Sequence, residues 1–153
     1  MKADIGHWEC EFDFNPDEWF GFIYRVLEIN TGREYIGKKQ FTKLKRKKVK
    51  NRKNRKHVRS ESNWKEYTSS SNYINESIES NGIEQYKFVI ESLHKTKGSL
   101  FYAEVKKQIE EDVMRALLPD GVTRKYINRF VSSVKFIPPQ DHPDEIKYRV
   151  KKK

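Results

Sequence analysis

The chain has 153 residues, room for one compact core and too few for two. Hydrophobic residues make up 35%, so nine Phe, eight Tyr and three Trp must supply much of the buried area. The formal charge of +10 is concentrated: Lys38 to Arg59 holds 13 of the 32 bases and none of the 22 acids, which excludes an evenly basic surface.

In chain order, "GFIYRVLEI" and "REYIGKKQF" are rich in β-branched and aromatic residues and flank "NTG", where Gly32 supplies positive φ. They predict a β-hairpin. The basic run 38–60 follows as a loop. After the polar "SESNWKEYTSSS", the stretch "SNYINESIESNG" places Tyr73 or Ile74 and Ile78 at helical spacing, with Ser71 or Asn72 as cap and Gly82 as stop. "YKFVIESLH" reads as a third strand. "KGSLFYAEVKKQIEEDVMRALL" then predicts a longer helix capped by Ser99, its apolar stripe running through Leu100, Ala103, Ile109, Val113, Ala116 and Leu117. Residues 131–153, with "PP" and a terminal "KKK", read as an irregular C-terminal extension.

Cys10 is the one cysteine, which excludes an internal disulfide framework, and His7 with Cys10 lacks the second pair of ligands a structural zinc requires. The first twenty residues are acidic and carry no signal-peptide core, and no run reaches the roughly 18 apolar residues of a membrane span. The expected setting is cytoplasmic, with no membrane partner.

"KKQFTKLKRKKVKNRKNRKHVR" cannot be core, because unpaired buried charges cost several kcal/mol each, and charges of one sign packed this densely repel unless a polyanion is present. A nucleic-acid backbone is that counterpart. Its candidate contacts are Lys38, Lys43, Lys45, Lys47, Lys48, Lys50, Arg52, Lys53, Arg55, Lys56 and Arg59. A solvated loop or a localisation signal is the alternative.

The pairing of "GFIY" and "YIG" on a hairpin that opens a β-β-α-β-α order resembles the GIY-YIG endonuclease superfamily, most of all its small phage-encoded members with a lysine-rich loop after the second signature. The first signature departs from the pattern, with Phe22 inserted before Ile23 and Tyr24. The resemblance implies an α+β domain spanning 1–153, a small three-stranded antiparallel sheet flanked by helices with a basic insertion at 38–60. It also implies DNA as partner, no small-molecule substrate, Mg²⁺ or Mn²⁺ as cofactor, and a host-cell cytoplasmic location if phage-encoded.

Residue by residue, the resemblance implies that Tyr24 activates or orients the attacking water with Tyr35 nearby. A phenol titrating near 10 needs cationic or metal neighbours to act as a base at neutral pH, and Lys38 and Lys39 are placed to supply that charge. Glu104, beside the apolar stripe, is the expected metal ligand; a single carboxylate with several waters suits Mg²⁺. The family's phosphate-binding arginine has no fixed counterpart, which leaves Lys39, Lys45, Arg46 and Arg55 as candidates. His57 is a candidate proton shuttle, and Asn128, in "KYINRF", a candidate to complete the site. Cutting both strands at once would need two sites, hence a possible homodimer. Two alternatives stand beside this reading: a nucleic-acid-binding protein without catalysis, and a structure-specific nuclease for branched DNA.

Overall fold

The computed structural model describes residues 3–47 and 56–131. In chain order the elements are β1 (Gly21–Glu28), β2 (Glu34–Gln40), β3 (Thr42–Lys47), β4 (Lys56–Glu61), α1 (Asn72–Asn81), β5 (Tyr86–His94) and α2 (Lys97–Glu110). The three-stranded sheet has the order β2-β1-β5 and is antiparallel throughout. This is the expected α+β architecture. Gly32 turns the hairpin at φ +81°, a conformation that glycine adopts without steric cost.

The basic segment departs from the expected loop. Lys38 to Gln40 belong to β2, and β3 and β4 pair as a separate two-stranded ribbon with Thr42 opposite Glu61 and Arg46 opposite His57. Charge density excluded this segment from a core, but it does not stop the backbone from pairing as a ribbon. Its base is tied to the body. Ser62 N–H donates to Phe41 O (2.9 Å), its hydroxyl donates to Gln40 O (2.6 Å), and the Phe41 ring stands edge-on to Trp64 at 4.9 Å. Lys48, Lys50, Arg52, Lys53, Arg55 and the 132–153 part of the extension lie outside the described residues, and so do the side chains of Lys45, Arg46, Lys47, Lys56 and His57.

Ser71 caps α1 by accepting from Ile74 N–H (3.3 Å), and Gly82 ends it at φ +98°. α2 starts earlier than expected, with Thr96 as its cap accepting from Ser99 N–H (3.0 Å). It also ends earlier, at Glu110, followed by Asp112 at φ +50°. Its buried face is Leu100, Glu104, Val105 and Gln108, whereas Ile109 and Leu117 are exposed. Leu100 and Val113 of the expected stripe are buried and Ala103 and Ala116 pack beside them, but Glu104 and Gln108 join the inward face through specific polar partners on β2.

Alternation along β1 sends Phe22, Tyr24 and Val26 to one face, where Trp8, Phe41, Trp64, Ile74 and Phe88 cover them. Ile23 points the other way and packs with Ile36, Leu100, Val113 and Tyr126. The acidic N-terminal segment belongs to the first layer: Glu9 N–H donates to Phe88 O and Ile90 N–H to Glu9 O, both at 2.8 Å, along the free edge of β5.

Both signature glycines mark close approaches. A Cβ on Gly21 would lie 2.6 Å from Leu100 Cδ2, where α2 crosses the sheet. A Cβ on Gly37 would lie 2.6 Å from Cζ of Tyr24, since the tyrosine ring occupies the space that a side chain opposite it would fill. Gly37→Ala must therefore displace a packed core ring, and urea unfolding should show a loss of about 1–3 kcal/mol. Unchanged stability would contradict this packing.

Candidate active site

A cleft of about 360 Å³ opens at the β2 edge of the sheet. Residues 125–128 run beside the first half of β2: Glu34 N–H donates to Lys125 O (2.9 Å), and Ile127 N–H donates to Glu34 O (2.7 Å). The Asn128 side chain finishes this cover, accepting from Ile36 N–H (3.0 Å) and donating to Ile36 O (2.8 Å); Gln108 donates to the same carbonyl (3.0 Å). Beyond Ile36 the strand continues into the cleft with Lys38, Lys39 and Gln40.

Tyr24, Tyr67, Ser70 and Glu104 complete the functional lining, so the cleft draws on β1, β2, the segment before α1, and α2. Tyr24 is only 1% exposed; its ring stacks on Tyr35 at 6.2 Å and meets Tyr67 edge-on at 6.0 Å. Its hydroxyl hydrogen-bonds to Tyr67. Tyr35 is set behind this pair, its hydroxyl 2.8 Å from Ser70 Oγ.

The expected lowering of the Tyr24 phenol by Lys38 and Lys39 is reversed. Burial pushes it well above the ordinary phenol range, and Tyr67, Tyr35 and Glu104 push the same way. The two lysines are engaged elsewhere. Lys38 Nζ pairs with Glu104 Oε1 at 2.9 Å and sits 4.2 Å from the centre of the Phe101 ring. Lys39 Nζ lies 4.1 Å from the centre of the Tyr67 ring, and burial holds its ammonium below the usual lysine range, with Lys43 adding to the effect. Tyr24 thus stays protonated and acts as a fixed hydroxyl.

Glu104 is 7% exposed and is the single carboxylate lining the cleft among the described residues. Tyr67 and Ser70 add hydroxyl oxygens to the lining of the same cleft. One carboxylate in a water-accessible cleft fits a hard cation that keeps most of its own waters, and no group of three metal-ligating side chains occurs among the described residues. Glu104 would hold such an ion beside the Lys38 ammonium.

Of the other sequence candidates, Lys43 lines the cleft, whereas Arg59 bonds Thr42 Oγ1 (2.7 Å) on its far side. Arg46 and His57 oppose each other on the ribbon backbone. Asn128 is brought to Ile36 and away from the cleft, so its part is to shape β2. The neighbouring Arg25 faces the other way, bound to Glu91, Glu34 (2.8 Å) and Glu111 (3.5 Å).

Tyr67 and Ser70 were not among the sequence candidates. The available signal was an aromatic residue stranded in a polar stretch just ahead of α1. Distant anchors place it: His7 Nε2 bonds Tyr67 O (2.9 Å), and Trp8 Nε1 donates to Trp64 O (2.5 Å).

Because Tyr24 resists ionisation only when folded, the unfolded chain loses that proton first as pH rises. The stability this contributes is complete below about 10, the ordinary phenol value, and is lost as pH climbs toward the raised folded value. Denaturant midpoints of wild type should therefore fall above about pH 10, and those of Tyr24→Phe should fall less steeply. Parallel curves would show that Tyr24 is not held protonated by burial.

The family model described as "Putative endonuclease segE, GIY-YIG domain" matches residues 8–131, from Trp8 through the Asn128 clamp. No curated protein and no solved structure matches the chain. The match takes in both signatures, the ribbon between them and α1, and the helix that carries Glu104: the chain belongs to the GIY-YIG endonuclease family.

Proposed function

We propose that the protein is a metal-dependent DNA endonuclease that hydrolyses a phosphodiester bond in the cleft at the β2 edge. The observation that carries this reading is the convergence of Tyr24, Tyr67, Lys39 and Glu104, from four separate parts of the chain, on one surface-open cleft. A scissile phosphate seated there faces Lys39 and Lys43, which offset its charge.

Tyr67 is the phenol better placed to take a proton from the attacking water. It is half-buried, hydrogen-bonds to the locked Tyr24 hydroxyl and has the Lys39 ammonium over its ring. Tyr24 and Tyr35 hold its orientation. A Mg²⁺ ion on Glu104 would supply Lewis-acid charge to the phosphate and the leaving oxygen. Lys38 pairs with the buried Glu104 carboxylate and fixes its orientation. Positioning and electrostatics carry the reaction, as in phosphoryl transfer generally.

Purified wild type should nick supercoiled or branched DNA with Mg²⁺ and not with EDTA. Glu104→Gln and Tyr67→Phe should each lose at least about a hundredfold in rate. Variants that cut as wild type does would remove the assigned site; DNA shifted in a gel but never cut would leave a binding protein whose Glu104 serves only Lys38.

DNA binding should weaken steeply with salt, since 13 of the chain's bases and none of its acids fall between Lys38 and Arg59. In a plot of log affinity against log salt, Lys43→Ala should reduce the slope by about 1. A slope unaltered by Lys43→Ala would place the phosphate elsewhere.

A further inference from the structure

A larger cleft, about 640 Å³, lies on the other side of Thr42, a residue that lines both cavities. Its apolar surface is aromatic: Trp19 and Phe20 are half-buried, and Phe41 and Trp64 are buried. Three cations sit against these rings: Lys95 Nζ at 4.9 Å from Trp19, Arg59 Cζ at 5.2 Å from Phe20, and Lys65 Nζ at 5.7 Å from Trp64.

The charge of this lining differs from that of the basic ribbon. Asp4, Asp17, Glu18 and Glu61 offset Arg59, Lys65 and Lys95, so the cleft offers a phosphate no net attraction. It offers aromatic faces for stacking and carboxylate oxygens that accept from ring N–H groups. A planar, uncharged heterocycle with hydrogen-bond donors matches both.

We propose that this second cleft receives a single extrahelical nucleobase of the DNA whose phosphate lies in the first. The proposal rests on the nuclease reading and adds a substrate feature to it: one unpaired or flipped nucleotide close to the cut. Arg59 links the two cavities, its guanidinium on the Phe20 ring and its Nη1 donating to Thr42 Oγ1 at 2.7 Å. A strand crossing Thr42 presents a phosphate to Lys39 and Lys43 on one side and a neighbouring base to Trp19 and Phe20 on the other. Unpairing costs least where the base is already unpaired, so the cleft selects for an irregular duplex.

The test compares a duplex carrying one bulged nucleotide with the same duplex whose bulged nucleotide is abasic, by fluorescence anisotropy in EDTA so that nothing is cut. Wild type should bind the base-bearing bulge about tenfold more tightly, the scale of one stacked base. Trp19→Ala should abolish the preference, and exposed Lys95→Ala should reduce it even if Trp19→Ala fails to fold. Exposed Lys106→Ala, at neither cleft, should retain it. Equal affinity for the two duplexes, or a preference that survives both Trp19→Ala and Lys95→Ala, would overturn the proposal while leaving the nuclease reading intact. A base preference in a protein that never cuts DNA would uphold the cleft and defeat the nuclease reading.

Discussion

The rest of the site depends on the Tyr24 ring lying against the bare backbone of Gly37. In an antiparallel pair, residues directly opposite compete for the same space above the sheet. Here one partner has no side chain, so the other can lie flat across it, and Tyr24, though buried in the core, still lines the cleft at the β2 edge. Tyr35 stacks behind it and Tyr67 closes over it. A second glycine, Gly21, lets α2 come close enough for Glu104 to reach Lys38 at the same edge. The two signatures are thus a packing device first, and the meeting of Tyr24 and Glu104 at one cleft follows from it.

Burial gives the tyrosines different work. A phenol enclosed as Tyr24 is cannot charge without losing water it has no substitute for, so it donates a hydrogen bond and holds position. Tyr67, on an irregular segment at the cleft mouth, keeps access to solvent. Its segment is braced from a distance by His7 and Trp8, so the acidic N-terminal stretch supports the site although it contributes no group to the cleft. The same economy appears at Asn128, whose amide imitates a strand residue for Ile36 and decides where the covered edge of β2 stops and the cleft begins.

Much of this was legible in the sequence. The hairpin, α1 with Ser71 or Asn72 as its cap, and the third strand follow from local pattern, because turn chemistry, capping and periodicity are set by neighbouring residues; Glu104 was singled out by the family resemblance. Three features were not, two of them because they depend on contacts far apart in the chain. The inward face of α2 follows Glu104 and Gln108, which an apolar count passes over, because their partners lie on β2. The pairing of β3 with β4 was hidden by charge, which reports what a side chain needs and says little about its backbone. Tyr67 had no signature of its own; its place comes from His7 and Trp64, about sixty residues from one end of that brace to the other.

The proposed hydrolysis requires Glu104 to hold one cation at the meeting point of the tyrosines and the basic edge. Electron paramagnetic resonance of Mn²⁺ titrated into the DNA complex addresses that point directly. It should show one bound ion per chain that retains several waters in wild type, and no such ion in Glu104→Gln. Equal binding by the two proteins, or none by wild type, would contradict it.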